Sequence, residues 1–213
     1  MPIAVKICGI TSIEAVEAAV AAGAQYGGLV FHPASPRNIE IVRAAQLAER
    51  MRGRLKVVAL VADATDMDLT VIASQVKPDF FQLHGGETPA RVAEIRGKFG
   101  VAVIKALPIA QASDFDGVAD YEDAADMLMF DARPPRGAVR GGGHGAAFDW
   151  TLLGGRTFSK PWFLAGGLTP DNVGRAAVLA EARMVDVSSG VESAPGVKDA
   201  GRIAAFLNAT KIS

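Results

Sequence analysis

Two residues stand where an apolar run stops and could do proton chemistry: Cys8, at the end of Ala4-Val5-Lys6-Ile7-Cys8 and followed at once by Gly9, and Asp131, at the end of Met127-Leu128-Met129-Phe130-Asp131. A lone cysteine in an apolar run is ordinarily inert packing, and an aspartate after a strand is ordinarily a solvated loop group. Their shared position changes that reading. If each run is a strand of one parallel sheet, thiol and carboxylate emerge at the same end of it. A thiolate can take a proton from carbon while a carboxylic acid gives one to oxygen. The thiol is a useful base only where its surroundings favour the ionised form, and the nearby charge of Lys6 is the first feature expected to do so.

A second group of residues suits an anion. Gly166-Gly167 and Ser189-Gly190 follow two late apolar runs. Small residues there let backbone amides approach a phosphate closely, as in the phosphate site that barrel enzymes build after strands seven and eight. Arg37, in Ser35-Pro36-Arg37, carries a planar fork suited to a carboxylate or phosphate, although most loop arginines are exposed and unpaired. His84, in Gln82-Leu83-His84-Gly85, is the histidine placed best for substrate contact. With His32 and His144 it makes no ligand-spaced metal motif, so no metal site is expected.

The elements that must position these groups are read from hydrophobic runs starting near Ile3, Gln25, Lys56, Asp79, Val101, Ala125, Pro161 and Arg183, each followed by an Ala-rich or charge-patterned stretch. Continuous apolar runs are what parallel strands covered on both faces require, and strict alternation with helices implies a parallel sheet. Two units are long. Their extra chain, Phe31 to Asn38 and Asp131 to Phe148, lies after a strand and before its helix, which builds up the face where barrel enzymes keep their active sites. The fold class expected is α/β, an eight-stranded (β/α)8 TIM barrel, with residues 1–213 as a single domain. An open doubly wound sheet is the alternative, but the dinucleotide-binding glycine pattern is missing after the first run.

Finer expectations follow. Thr11 and Ser12 can cap a first helix, and Thr169 can cap another with Pro170 in its first turn. Lys6 shares strand parity with Cys8, and Asp186 shares it with Ser188. Barrel closure makes the first and eighth strands neighbours, so a Lys6–Asp186 ion pair inside the barrel is expected to support the thiol.

The totals narrow the partners. The 213 residues are 50% hydrophobic and 21% charged, with a formal net charge of −1. No basic excess exists to neutralise a nucleic-acid backbone or hold an anionic membrane surface. No apolar run is long enough to cross a bilayer. A single cysteine excludes an internal disulfide and fits a reducing, cytoplasmic setting. A monomer or homodimer acting on a small molecule is expected.

Taken together, Lys6-Ile7-Cys8-Gly9-Ile10, His32-Pro33 with Ser35-Pro36-Arg37, Gln82-Leu83-His84-Gly85, Phe130-Asp131, Phe148-Asp149-Trp150, Leu164-Ala165-Gly166-Gly167-Leu168 and Asp186 with Ser188-Ser189-Gly190-Val191-Glu192 resemble the phosphoribosylanthranilate isomerase family, over nearly the whole chain. The resemblance implies an Amadori rearrangement of a phosphorylated sugar substrate in tryptophan biosynthesis, with no metal or organic cofactor. It implies Asp131 as the acid that protonates the furanose oxygen, Cys8 as the base that removes the sugar-carbon proton, and Arg37 as the holder of the anthranilate part. One departure is His144 in Gly142-Gly143-His144-Gly145, where the family usually carries Thr. Other phosphate-binding barrels are the competing enzyme readings: a histidine-pathway isomerase would use aspartates at both strand ends, and a Schiff-base aldolase would need a lysine at the mouth, for which Lys105 is the one to check. A catalytically silent binding module is expected to lack at least one of the two proton-transfer groups.

Overall fold

The structure is a computed structural model describing residues 3–132 and 148–211. Eight parallel strands, β1 (Ala4–Cys8), β2 (Tyr26–Phe31), β3 (Lys56–Val61), β4 (Phe80–Leu83), β5 (Ala102–Ile109), β6 (Met127–Ala132), β7 (Trp162–Leu164) and β8 (Met184–Val187), pair in chain order and close on themselves. Each begins within two residues of its predicted start. The closing pair aligns Lys6 with Asp186 and Ile7 with Val187. The helices between strands are α1 (Ile13–Ala22), α2 (Ile41–Met51), α3 (Asp66–Gln75), α4 (Pro89–Phe99), α5 (Val118–Ala124) and α6 (Val173–Ala180), and α7 (Ala200–Ala209) follows the last strand. Among the described residues no helix is long and apolar enough to cross a membrane. The glycine-rich segment that includes Gly142, Gly143, His144 and Gly145 lies outside the described residues.

Strand parity divides the core in two. One set of alternate residues packs outward against the helices, including Ile7, Leu29, Phe81, Phe130 and Val185. The other set, Val58, Ile104, Ala106, Met127, Met129, Phe163 and Ala165, with Tyr26, Phe80 and Met184 against it, fills the barrel. Tyr26 meets Phe163 edge-on at 5.2 Å between ring centres, which plugs the barrel below the charged layer. The inward parity of β1, β4, β6 and β8 then brings Lys6, Cys8, Gln82, Asp131 and Asp186 above that plug.

Two cap expectations are corrected. Ser12 alone caps α1, its Oγ accepting from Ala15 N at 3.2 Å, while Thr11 Oγ donates to Gly196 O, in the segment after the neighbouring β8, at 3.0 Å. Thr169 does not cap with its side chain: α6 begins at Val173, and Asn172 instead accepts from Thr169 N and donates to Gly167 O. The Asn172 amide therefore ties the loop after β7 to the helix start.

Candidate active site

Cys8 and Lys6 project from β1, and the ion pair expected from parity is present: Lys6 Nζ lies 2.8 Å from Asp186 Oδ1 across the closing seam. The Lys6 side chain is completely buried. Burial alone would lower the Lys6 pKa, but Asp186 and the neighbouring Cys8 outweigh it and hold the ammonium above its ordinary value. Cys8 behaves otherwise than expected. Burial pushes the thiol up, and the opposing pull of Lys6 does not overcome it; Asp186 pushes it further up and Lys198 pulls it down. The free site therefore stores Cys8 as a thiol rather than a standing thiolate.

Asp131 ends the inward row of β6. Its Oδ1 accepts from Ala132 N at 2.8 Å and its Oδ2 meets His84 Nε2 at 3.1 Å. Gly166, at φ +90°, passes directly over this carboxylate: a Cβ there would come 2.5 Å from Ala132 N and 3.0 Å from Asp131 Oδ1. Sequence reading assigned Gly166 to phosphate binding. The structure gives it a further task, room for Asp131.

His84, expected at the substrate, is the partner of Asp131. Its other ring nitrogen, Nδ1, faces Gln82 Nε2 at 2.9 Å. An amide nitrogen only donates, so Nδ1 accepts and the ring proton sits on Nε2, aimed at Asp131. Gln82 itself is fully buried, behind His84 and against Met129 Sδ at 3.3 Å, which makes it a support for His84 rather than a residue at the mouth. Its Oε1 is buried with no hydrogen-bond partner among the described residues.

The loop carrying His84 is held from below. Lys105 Nζ donates to Leu83 O at 3.3 Å, to Gly85 O at 2.7 Å and to Glu87 Oε2 at 2.7 Å. Burial would raise the Glu87 pKa, yet Lys105 and the donating backbone amides of Asp63 and Glu87 itself hold it below its ordinary value. Lys105 is thus a fully engaged structural cation, without the free amine at the mouth that a Schiff-base aldolase needs. No sequence motif announced the clamp.

Arg37 is neither exposed nor unpaired. Its Nε and Nη2 form a two-point pair with Glu192 at 2.7 and 2.8 Å, and its stem lies across Gly9, beside Cys8. Nη1 donates to no described residue. Burial would lower the guanidinium pKa, but Glu192 raises it.

At the opposite side of the mouth, Gly167 (φ +64°) continues the turn from Gly166, and the amides of both donate to no described group. Ser189 and Gly190 open a short turn after β8. A Cβ on Gly190 would fall 1.9 Å from Leu168 O, so the two loops touch only because residue 190 is glycine. Glycine amides that donate to no described group, on two loops in contact, are what an anion-binding turn requires. Among the described residues no group of three or more His, Cys, Asp and Glu is arranged to hold a metal ion.

Sequence reading missed Glu192 and Lys198 as functional neighbours of Cys8. They lie on a hairpin of β9 (Glu192–Ala194) and β10 (Val197–Lys198). The turn residues Pro195-Gly196 were the available signal.

Comparison with known proteins places the chain in a family. The family described as N-(5'phosphoribosyl)anthranilate (PRA) isomerase matches residues 5–209. An N-(5'-phosphoribosyl)anthranilate isomerase of Paramagnetospirillum magneticum is 50% identical over 211 residues, covering 99% of this chain and 98% of its own. The crystal structure of phosphoribosyl anthranilate isomerase from Thermotoga maritima superposes with a TM-score of 0.88 at 32% identity, covering 98% of each chain. A phosphoribosyl anthranilate isomerase in complex with reduced 1-(o-carboxyphenylamino)-1-deoxyribulose 5-phosphate superposes with a TM-score of 0.83 at 30% identity, again over 98% of each chain. The chain belongs to the N-(5'-phosphoribosyl)anthranilate isomerase family.

Proposed function

We propose that this chain, acting as one domain in the cytoplasm, converts N-(5'-phosphoribosyl)anthranilate to 1-(2-carboxyphenylamino)-1-deoxyribulose 5-phosphate in tryptophan biosynthesis, with Asp131 as general acid and Cys8 as general base. The observation that carries the assignment of roles is that both groups point inward at the carboxyl ends of β1 and β6, strands that are not neighbours in the closed ring. A sugar between them meets an acid on one side and a base on the other.

Asp131 gives its proton to the furanose oxygen. The C1'–O bond breaks, the nitrogen lone pair forms the C1'=N bond, and a protonated Schiff base results. Cys8 then removes the proton from C2', whose electrons move toward the iminium and leave an enolamine. Tautomerisation of the enol gives the aminoketose. The base is the thiolate form of Cys8: the thiol first gives its proton to solvent, and the iminium cation generated by the acid step then favours the ionised sulfur against the burial that raises its pKa. His84, with Nε2–H on Asp131 Oδ2 and Nδ1 on Gln82, orients the acid.

Arg37, fixed by Glu192 through Nε and Nη2 and with Nη1 donating to no described residue, would receive the anthranilate carboxylate. Gly166, Gly167, Ser189 and Gly190 would receive the phosphate. These two anchors set the sugar between Cys8 and Asp131 and supply the orientation the chemistry needs. The test is turnover by the purified chain: N-(5'-phosphoribosyl)anthranilate should lose its fluorescence and yield the ketose, while a histidine-pathway aminoaldose should react at least about a hundredfold more slowly. Faster turnover of the latter would overturn the substrate assignment.

A further inference from the structure

We propose that Lys198 is a positioning residue for the reaction proposed above, holding Arg37 through Glu192 and supplying buried positive charge at the base Cys8. The side chain of Lys198 is fully buried. Its Nζ donates to Glu192 Oε1 at 2.6 Å, to Ser188 O at 3.1 Å and to Ser188 Oγ at 3.2 Å. Ser188 Oγ in turn donates to Cys8 O at 3.0 Å. One ammonium therefore grips the strand end that leads into the phosphate loop, the carboxylate that clamps Arg37, and, through Ser188, the backbone of the base.

The hairpin that carries Lys198 is itself braced against the other mouth loops. Gly196 accepts from Thr11 Oγ and packs against Pro36 O, next to Arg37. Arg202 Nη1 donates to Glu192 O at 2.5 Å, and Asp199 N to Val191 O at 2.9 Å. A lysine placed there to cover apolar surface would send its head group to water. This one is turned inward at the cost of desolvation, which lowers its own pKa against the raising effect of Glu192.

The charges that act on Cys8 come from several elements around it: Lys6 from its own strand, Asp186 from β8, Arg37 from the loop after β2 and Lys198 from the hairpin, with Glu192 of the hairpin paired to both Arg37 and Lys198. Three cations face two carboxylates. Lys6 pulls the thiol down more than Asp186 pushes it up, and Lys198 pulls in the same direction as Lys6. The field of these groups favours the thiolate, against the burial that favours the thiol.

Charge and bracing make opposite predictions for Lys198→Met. If Lys198 acts by charge, Lys198→Met raises the Cys8 titration midpoint and Glu192→Gln lowers it. If it only braces the hairpin, either change loosens the site, lets water reach the thiol and lowers the midpoint in both. Cys8 is the single cysteine, so ultraviolet thiolate absorbance of the full chain, with Cys8→Ala subtracted, reads it directly. The expected results are an upward displacement of about one pH unit in Lys198→Met, a downward one in Glu192→Gln, and little movement in Lys198→Arg. The acid limb of kcat/KM should move with the midpoint. An unchanged or lowered midpoint in Lys198→Met overturns the proposal; if that variant does not fold, Lys198→Gln, which removes the charge but keeps a hydrogen-bond donor, is read in its place by the same criterion. Activity retained in Cys8→Ala would instead overturn Cys8 as base, while leaving the titration a valid test of Lys198.

Discussion

His84 Nε2 meets Asp131 Oδ2 at 3.1 Å, joining the end of β4 to the end of β6 across 47 residues of sequence. Because Gln82 fixes the ring proton on Nε2, His84 presents a donor to the acid rather than a second acceptor. His84→Ala should reduce kcat by about ten- to a hundredfold, the scale on which a partner orienting a reactive group contributes, with a smaller change in KM. Gln82→Leu should give a weaker loss in the same direction. Steady-state kinetics check both, and a KM effect exceeding the kcat effect in His84→Ala would show that the ring binds substrate.

The Lys105–Glu87 pair underpins that arrangement. Lys105→Met leaves a buried Glu87 carboxylate without its cation, and should destabilise the fold by about 3–5 kcal/mol while lowering kcat through displacement of His84. Urea unfolding of the variant measures the first effect. Stability within about 1 kcal/mol of the parent would mean the pair is no more than a surface-like contact.

Acid should weaken the fold through the same groups. Burial acts to raise Glu87 and Glu192, but their cationic and amide partners depress both pKa values below the ordinary carboxylate. A depressed carboxyl contributes stability that is present above its unfolded pKa and lost as pH falls through the folded one. The loss should therefore appear below about pH 4, where unfolded glutamate binds its proton. Thermal unfolding followed from pH 6 downward should show a steep decline in the parent and a shallower one in Glu87→Gln, measured relative to each variant at pH 6.

Gly190 provides a test of the phosphate loops. An added methyl would strike Leu168 O, so Gly190→Ala must part the loops after β7 and β8. KM should rise by more than about tenfold while kcat changes less, and inhibition by inorganic phosphate should weaken in step. Unchanged phosphate inhibition would remove Gly190 from the anion site.

What the sequence discloses and what it conceals divide along contact range. The eight runs, the common face of Cys8 and Asp131, and the Lys6–Asp186 pair follow from strand parity and ring closure, and these need no side-chain detail. The Arg37–Glu192 clamp does not follow, because it depends on how a loop after β2 meets a hairpin 155 residues later. The same holds for Lys105, whose three acceptors sit at the end of β4 and on the loop that follows it. The raised thiol was also hidden: nearby Lys6 is visible from parity, but the desolvation that outweighs it depends on complete packing around Cys8.

The most direct measurement compares kcat/KM for N-(5'-phosphoribosyl)anthranilate in the parent, Cys8→Ala and Asp131→Asn, with folding of each variant verified by its thermal transition. Loss of at least about a hundredfold in each substituted chain is the predicted result, the usual contribution of a positioned acid or base. Turnover within tenfold of the parent in either folded variant would contradict the account of Cys8 and Asp131 as the pair that moves the protons.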